Sequence, residues 1–445
     1  DNNLFLSNKV MAVLGELQLH GKPVARTWTR LAATAEAGAT QLTLQEPVDW
    51  AVGANITLTP TEYDITQLED TSVAAVSADG LTVTLSSPLQ YRHFGGSLQI
   101  DGPNDSTRRV VGAGVGLLTR NIRVEGALAS GSDTYGAHVV VADIVRHVDD
   151  TLILRTGHAD VSYTQFRHCG KADTEHASVL LQYNADRSGK PVPASTFNGC
   201  AFSNNFNYAV VADKAPHFRL QRNVMHRNVR SAVDVLKGCR NFTIVDNLVA
   251  GSLRPEFETL DWLRPIAGFF LQSQPVNMSG NVASACHDTG FVFTADSCDA
   301  VAAGTHAIRD NEAHGVKTGV HVLSSPRGCV AIDGWTVWKA AHTGVQTIDQ
   351  RAAMELHRIT VSDSHIGLHL NFYKPRDSRQ HTTLIKDSVF SGTSPASTCD
   401  TSTSCLAFRK GDVVGTACNS VLTNRFRHVG IMLPDYQRKA KTCGV

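Results

Sequence analysis

TFNGCAFSNNFNYAVVADKAPHFRLQRNVMHRNVRSAVDVLKGCRNFTIVDNLVA, residues 196–250, is the stretch that decides the fold of this chain. Within it Phe218 recurs as Phe242, 24 residues later, and Asn223 recurs as Asn247 at the same interval. A fixed period in the low twenties indicates a repeat architecture, and this signal outranks the local propensity of any single segment.

Each repeat contains short apolar runs separated by Asn, Gly and Asp, a pattern typical of strands joined by tight turns. The apolar triplet at Ala209 returns in kind at Ala232, 23 residues later. About 23 residues accommodate three short strands and three corners, and only stacked repeats bury their apolar sides. We therefore predict an all-β chain, a right-handed single-stranded parallel β-helix (a solenoid) preceded by a β-rich partial domain.

The ladder is interrupted at two places, which we predict to be inserted loops near 251–266 and 391–420. The first segment is polar and flanked by prolines, and the second is rich in Ser, Thr and Cys. Apolar runs between and beyond them continue the ladder at 290–293, 319–322, 344–347, 367–370 and 430–433. At about 24 residues per coil the solenoid would have about a dozen coils and a length on the order of 60 Å.

Composition narrows the classes of function. The chain has 445 residues with 41 basic and 41 acidic side chains, so a general nucleic-acid or anionic-membrane binder is disfavoured. No run of 18 apolar residues occurs, which predicts no membrane-spanning segment in this fragment. The chain begins with Asp1 and has no leader pattern, so we expect a mature or excised piece of a longer protein.

Cysteines and sequons together favour an oxidising, extracellular compartment. An even number of cysteines without a CxxC pair favours disulfides over a zinc site, with 286/298 and 399/405 spaced to staple single loops. The disulfide candidates are Cys169, Cys200, Cys239, Cys286, Cys298, Cys329, Cys399, Cys405, Cys418 and Cys443. The predicted N-glycosylation sites are Asn55, Asn104, Asn241 and Asn277.

Residues 1–105 differ from the ladder and predict a separate β-rich unit, with the β-helix occupying 106–445. Alternation at 41–44 and 55–58 predicts half-buried strands, and Asp79 followed by Gly80 predicts a hairpin turn. The segments HGKPVARTWTRL (20–31), VDWAVGANITLTPTEYD (48–64) and VGLLTRNIRVEG (115–126) resemble the end of a domain named after its eight glycines. That domain heads the fibrocystin-L and cell-surface hyaluronidase group, in which a parallel β-helix follows it.

The resemblance also locates where related hyaluronidases carry their chemistry, on a strand with two alternating histidines. In this chain the turn with Arg167 and His168 matches the family's turn. The following strand has Ser178, Val179, Leu180, Leu181 and Gln182 at the motif positions, so both histidines are absent. Loss of the groups best suited to proton transfer or metal binding predicts a non-catalytic site.

Four polar residues near that strand remain candidates for binding a carbohydrate or a metal ion. They are His138, His168, Asp173 and His176, which stacked coils could bring together. The competing interpretation is that they are surface or corner residues, as most of the 19 histidines should be. We expect no resident cofactor, with a divalent metal as the open alternative. The corner residues Asn223 and Asn247 are expected to stack into a ladder and to occupy left-handed turn positions.

Three functional hypotheses follow. The first is a non-catalytic, glycosylated, extracellular segment of a large fibrocystin-L-like surface or matrix protein, such as one on a cilium, serving as a stiff spacer or adhesion surface. Its partners would be other extracellular or surface proteins, with polymeric assembly included. The second is a glycan-degrading, hyaluronidase-like enzyme with a rearranged site. The third is a carbohydrate-binding module without turnover, for which glycans are the partners.

Overall fold

A computed structural model describes most of the chain. The described residues are 4, 6–101, 106–127, 130–182, 193–255, 264–297, 307–323, 328–350, 353–372, 383–391 and 429–432. They form an all-β structure with one short α-helix, Ser130–Asp133, and one 3₁₀ turn, Ile65–Gln67. Neither described helix is long or apolar enough to cross a bilayer.

The main body is a parallel β-helix whose coils each contribute three strands, which stack on equivalent strands of neighbouring coils. Two rows of strands join in one 19-stranded sheet, and a third row forms a separate sheet. Row 1 consists of Ile122–Glu125, Thr164–Arg167, Ala201–Ser203, Val224–Val229, Leu248–Leu253, Val282–Cys286, the first part of Glu312–Leu323, the first part of Thr336–Gln350, Thr360–Ser362 and Val389–Ser391. Row 2 consists of Val10–Val13, His138–Ala142, Val179–Gln182, Val210–Asp213, Val233–Val235, Ala267–Leu271, Thr289–Thr294, the second parts of Glu312–Leu323 and Thr336–Gln350, Ile366–Phe372 and Val429–Met432. Row 3 consists of Glu16–His20, His158–Ser162, Ser195–Asn198, Phe218–Gln221, Thr243–Val245, Asn277–Ser279, Ala307–Arg309, Gly328–Asp333, Ala353–His357 and Thr383–Lys386.

The predicted β-helix is therefore confirmed, with ten complete coils and the first strand of an eleventh in the described residues, against the dozen coils expected for the whole chain. At roughly 4.8 Å per coil the described rod is about 50 Å long. Its interior is filled by stacked apolar side chains. Phe218 lies on Phe242 with ring centroids 4.8 Å apart, which is the 24-residue repeat seen in three dimensions. Phe269 stacks on Phe291 at 5.0 Å in the same manner.

Asparagines at one corner form a continuous internal ladder, as the sequence predicted for Asn223 and Asn247. The Nδ2 of Asn223 donates to the Oδ1 of Asn247 at 2.9 Å, and that of Asn247 donates to Asn281 at 2.9 Å. Asn281 continues to Asn311 at 2.8 Å. One part of the prediction is wrong, because the ladder asparagines are not the left-handed residues.

The left-handed conformation at this corner falls on the residue before each ladder asparagine. Arg222 has φ 53°, Asp246 has φ 57° and Asp310 has φ 53°, and glycine occupies the same position at Gly280. At each corner, one residue adopts the left-handed conformation that turns the chain, and the asparagine that follows it stabilises the turn. The asparagine side chain takes the hydrogen bonds that the turning backbone leaves unmade.

A six-stranded antiparallel sheet forms the second body. Its strands, in spatial order, are Trp28–Arg30, Gly114–Leu117, Asn55–Leu58, Glu69–Val76, Thr82–Leu85 and Gln41–Thr43. A separate hairpin pairs Gly95–Asp101 with Ser106–Gly112. The predicted turn at Asp79 and Gly80 is present between Glu69–Val76 and Thr82–Leu85, with Gly80 at φ 72°.

Strand pairing divides the chain differently from the predicted boundary between 105 and 106. Val10–Val13 pairs in parallel with His138–Ala142, and Glu16–His20 pairs with His158–Ser162, so the first strands already belong to the rod. The antiparallel sheet, including Gly114–Leu117, is an insertion within the first coil. The sequence pattern missed this because short strands in a first coil have no preceding repeat with which to show a period.

The structure also changes the bounds of the predicted inserted loops. Residues 251–253 are the end of the row 1 strand Leu248–Leu253, so the first insertion begins later than residue 251. The second predicted loop lies almost entirely outside the described residues. A further hairpin, Ile144–Val148 with Thr151–Arg155, projects from the rod. Its turn residues Asp149 and Asp150 both have positive φ, 47° and 62°, as a type I′ turn requires.

The antiparallel sheet lies on the outward face of row 1. A Cβ added to Gly116 would come within 2.8 Å of Val224 and 3.0 Å of Leu248, so glycine is needed for this close approach. The indole nitrogen of Trp28 donates to the backbone oxygen of Asp246 at 2.8 Å. At the far end the hydroxyl of Tyr63 donates to the backbone oxygen of Asp363 at 2.9 Å, so the sheet spans several coils.

Candidate functional site

The predicted histidine cluster is only half assembled. His138 and His176 lie with ring centroids 4.8 Å apart. His138 is 1% exposed, and neither of its ring nitrogens has a hydrogen-bond partner among the described residues. Burial, with contributions from His176 and Lys171, lowers the pKa of His138 to about 4, so this imidazole is neutral at physiological pH.

His168 and Asp173, the other two candidates, take part in different local structures. His168 stacks on Phe206 with centroids 5.8 Å apart, and its Nδ1 lies 3.8 Å from a carboxylate oxygen of Glu125. Asp173 is an exposed turn residue with φ 54°. Across the described ranges no three His, Cys, Asp or Glu side chains are grouped so as to hold a metal ion.

The strand that matches the family's histidine motif packs as ordinary solenoid core. Val179 and Leu181 point inward and are fully buried. Leu180 points outward and packs with Val211 in a small apolar cluster. Gln182 reaches Asp213 of the next coil, with Nε2 3.5 Å from the carboxylate. The strand's side chains thus serve packing between coils.

One buried carboxylate on the same outward face of row 2 was not among the predicted site residues. Asp234 is 1% exposed and accepts a hydrogen bond from Arg264 at 3.1 Å. Burial raises its pKa to about 6, against the opposing effect of Arg264. The sequence feature that could have identified Asp234 is an acidic residue within an apolar run, between Val233 and Val235. The next outward positions along the row are the buried Phe270 and Val292, so this face is mainly apolar there.

The contact between the antiparallel sheet and the rod holds a chain of polar and charged pairs, several of them buried, which we term the polar seam. Glu312 of row 1 accepts from Arg30 at 3.1 Å and from the indole of Trp338 at 2.8 Å. His314 lies 3.0 Å from the same carboxylate and 3.0 Å from the hydroxyl of Thr59. Although burial opposes ionisation, these partners, Arg30 first, hold the pKa of Glu312 near 2.

The seam continues on both sides of Glu312. Toward one end, Lys339 is fully buried and donates to Glu62 at 2.9 Å. Toward the other end, His226 lies 2.9 Å from Asp70, and Arg227 also reaches Asp70 at 3.3 Å. Apart from the contacts of Glu312 with Trp338 and His314, which lie within the rod, each pair joins the inserted sheet to the rod. Buried charges tolerate loss of a partner poorly, so the seam fixes how the two bodies are aligned.

A polar cleft opens where the inserted sheet leaves the surface of the rod, and we term it the seam cleft. Its volume is about 280 Å³. The lining residues are Asn55, Asp70, Thr71, Ser72, Ser86, Leu118, Thr119, Arg123, Gln165, Arg167, Ser203, Asn204 and His226. Amides, hydroxyls and guanidinium groups dominate this lining, which suits a neutral or anionic ligand rich in hydroxyl groups.

Four of the predicted disulfide cysteines are instead free thiols in the core, so the prediction is wrong for Cys169, Cys200, Cys239 and Cys286. The proposed staple between 286 and 298 is thereby excluded. Their side chains point into the coil interior, and burial raises their pKa values to about 12, 11, 12 and 12 respectively. Cys329 is disulfide-bonded, to a partner outside the described residues. The other five candidates, Cys298, Cys399, Cys405, Cys418 and Cys443, lie outside the described residues as well.

The sequon asparagines differ in their surroundings. Asn55 is exposed and lines the seam cleft. Asn241 is exposed in a turn with φ 52°, whereas Asn277 is half-buried on a row 3 strand with its Oδ1 enclosed. Asn104 lies outside the described residues. Glycosylation of these positions stays a prediction.

Comparison with known proteins agrees with this architecture. The family described as a right handed beta helix region matches residues 194–361. Human fibrocystin-L is 26% identical over 88% of this chain, and dog fibrocystin is 24% identical over 89% of it. The chain spans only 9% of the length of either relative.

Two further similarities are weaker or shorter. A G8 domain-containing protein of Dictyostelium discoideum is 30% identical over 40% of this chain and 15% of its own length. Among solved structures, the catalytic domain of a GH87 α-1,3-glucanase aligns over 82% of this chain and 84% of that one, with 9% identity and a TM-score of 0.36. A structural similarity at that level carries no argument about activity. The sequence matches confirm the predicted resemblance to fibrocystin-L, to which the chain is similar over most of its length, and its fold is a right-handed parallel β-helix.

Proposed function

We propose that this chain is a non-catalytic, extracellular structural and adhesion segment of a fibrocystin-L-like protein at a cell surface, such as that of a cilium, or in the matrix. The observation that carries the proposal is the polar seam. It joins the inserted sheet to several coils through buried pairs such as Arg30 with Glu312 and Glu62 with Lys339. A rod that is braced along its length in this way is suited to hold spacing and to present surfaces.

The outward face of row 2 supports the same proposal. Most glycoside hydrolases need two carboxyl groups, about 5–10 Å apart, at the scissile bond. Here the one buried carboxylate of that face, among the described residues, is Asp234, whose ionic partner is Arg264. Its neighbours in the next two coils, Phe270 and Val292, are buried apolar residues that offer no proton donor or acceptor. A second carboxylate of the face, Asp213 in the preceding coil, is half-buried and lies 3.5 Å from the amide of Gln182.

The third row supplies a surface for partners. Its outward positions are regularly spaced and largely polar, among them Asp160, Arg219 and Glu355, which are all exposed. A flat surface of mixed charge is suited to contacts with other extracellular proteins or with further copies of the chain. We therefore place the adhesive function on row 3 and the bracing function on row 1.

Incubation with glycans tests the proposal directly. The purified chain is mixed with hyaluronan and a panel of other polysaccharides, with and without divalent metal ions, and polymer length is followed by size-exclusion chromatography. We expect no shortening. Depolymerisation that is lost in Asp234→Asn or His176→Ala, but kept in the exposed-site control Glu355→Gln, would overturn the proposal and favour the glycan-degrading alternative.

A carbohydrate-binding module without turnover is the second candidate, and the seam cleft is the observation that favours it. The same mixtures distinguish it, because saturable binding without shortening is expected for a binding module. Loss of that binding in Arg167→Ala, a residue of the cleft wall, would assign it to the cleft.

A further inference from the structure

The side chain of Asn55 faces the rod across the seam cleft. The strand Asn55–Leu58 alternates, with Ile56 and Leu58 in the core of the inserted sheet. Thr57 packs toward Gly116 at the contact with the rod, and the hydroxyl of Thr59 meets His314 of row 1. Because side chains two residues apart share a face, Asn55 belongs to the side that faces the rod, at the end where the sheet leaves it.

Both walls of the cleft offer the partners that a sugar uses. On the rod, Gln165 donates to Ser203 at 3.1 Å, and Arg167 stands beside them. On the sheet, Ser72 and Ser86 are hydrogen-bonded to each other at 2.6 Å. Hydroxyl and amide groups of this kind bind the hydroxyl and acetamido groups of a hexosamine by exchanging hydrogen bonds. A volume of about 280 Å³ suits one or two sugar residues and not a long chain.

We propose that Asn55 carries an N-linked glycan whose first sugar residues are seated in the seam cleft, where they bridge the inserted sheet and the rod. The inference rests on the extracellular part of the proposed function, because it requires passage through the secretory pathway. It goes beyond that function by assigning the occupant of the cleft. The occupant is tethered to the cleft wall, so it meets the site at a high effective concentration that free oligosaccharides do not reach.

The group transfer follows the ordinary course for an Asn-Ile-Thr sequon. The side-chain amide nitrogen of Asn55 bonds to the anomeric carbon of an oligosaccharide carried on a lipid pyrophosphate. The bond between that carbon and the pyrophosphate oxygen breaks, the lipid pyrophosphate leaves, and the amide nitrogen gives up one proton. Thr57, the third sequon residue, is fully buried, and its hydroxyl reaches the backbone oxygen of Glu69 at 3.5 Å. Transfer therefore precedes docking of the sheet, and the sugar is enclosed as the sheet settles.

The chain offers a matched control in the same sheet. Gly38 lies in an exposed turn at φ 88° with open space around a Cβ, and Gly38→Asn creates an asparagine–alanine–threonine sequon there. Asparagine is among the residues that best tolerate positive φ. A glycan at that position has no cleft to enter, so it reports the behaviour of an unsheltered glycan on the same protein.

The test uses Gly38→Asn protein secreted from a eukaryotic host, with site occupancy read from glycopeptide masses. A peptide-N-glycosidase is then applied to native and to heat-denatured protein. We expect the Asn55 glycan to be released at least about tenfold more slowly from native protein, because release requires local opening, while the Gly38→Asn glycan is released at similar rates from both. Equal native release rates at the two positions, or an unmodified Asn55, would overturn the inference.

A second measurement separates the glycan from the asparagine side chain. Asn55→Gln should lower the thermal midpoint of the secreted protein and leave that of unglycosylated bacterial protein unchanged. An equal shift in both would refute bridging by the glycan. Absence of glycan at every sequon, the introduced one included, would instead count against the extracellular assignment on which the inference rests, so the two failures are distinguishable.

Discussion

Asn247 shows how a single side chain closes a corner of the rod. Its Oδ1 accepts from the backbone nitrogen of Asn223 at 3.0 Å and from that residue's Nδ2 at 2.9 Å. Its Nδ2 donates to the backbone oxygen of Leu220 at 3.0 Å and to Asn281 at 2.9 Å. All of these atoms are buried, so each bond satisfies a group that water cannot reach.

Asn247→Ala should therefore destabilise the chain strongly. Each buried group that loses its partner costs roughly 1–3 kcal/mol, and several lose one here. We expect a clearly lower midpoint in urea. Asn198→Ala is the matched control, because Asn198 is half-buried on row 3 and its side chain accepts one hydrogen bond among the described residues, from Arg222 at 3.1 Å. Its effect should stay within about 0.5 kcal/mol, and equal effects of the two substitutions would contradict the ladder's role.

At the scale of elements, the inserted sheet depends on how closely its strands approach row 1. Gly114–Leu117 lies against Val224 and Leu248, which belong to one cluster with Trp28. The polar seam can form only when this apolar contact brings the two surfaces together. Glycine at 116 is thus a requirement of the docking and not of the strand, whose own pairing accepts any residue.

Gly116→Ala should weaken docking, because the added methyl group would lie 2.8 Å from a methyl of the stiff, β-branched Val224. Overpacking of this kind costs typically about 1–3 kcal/mol. Hydrogen exchange should then rise across Asn55–Leu58 before it rises in row 3. Gly15→Ala is the control, since nothing lies within 4 Å of a Cβ there, and it should leave exchange unchanged. Unaltered exchange in Gly116→Ala would show that the sheet does not need close contact.

At the scale of the whole molecule, the four free cysteines are reporters spread along the core. Cys169, Cys200, Cys239 and Cys286 lie in successive parts of the rod and are all buried. Burial is the main cause that raises their pKa values to between about 11 and about 12. The thiolate is the reactive form, so these thiols are inert toward alkylating reagents while the rod is folded.

We expect no alkylation of these four thiols in the native protein at about pH 8, where a thiol of pKa near 12 is protonated. In rising denaturant, Cys200, Cys239 and Cys286 should become reactive in a single transition, because the inserted sheet braces the coils in which they lie. Mass spectrometry of the labelled peptides resolves each site. Separate transitions for these three would show that the coils unravel one by one, as solenoids without a brace do.

The sequence by itself determined the solenoid, its inward-facing residues and several of its turns. A coil is a local repeat, so its period, its stacked Phe218 and Phe242, and the ladder through Asn223 and Asn247 are all visible as regular spacing along the chain. The hairpin at Asp79 and Gly80 is equally local, because the turn chemistry of adjacent residues specifies it.

Only the tertiary structure decided how the two bodies are joined and where the candidate sites lie. Arg30 meets Glu312 across 282 positions and Trp28 meets Asp246 across 218, and no local period records such pairs. The same separation hid the seam cleft beside Asn55. For the same reason the sequence did not show that Cys286 is a buried free thiol. Whether a cysteine can form a disulfide depends on which side of its strand the side chain lies, and the spacing of cysteines does not record this. Regular spacing along the chain specified the repeating coils. Contacts between residues that are distant in sequence specified how the inserted sheet is joined to the rod.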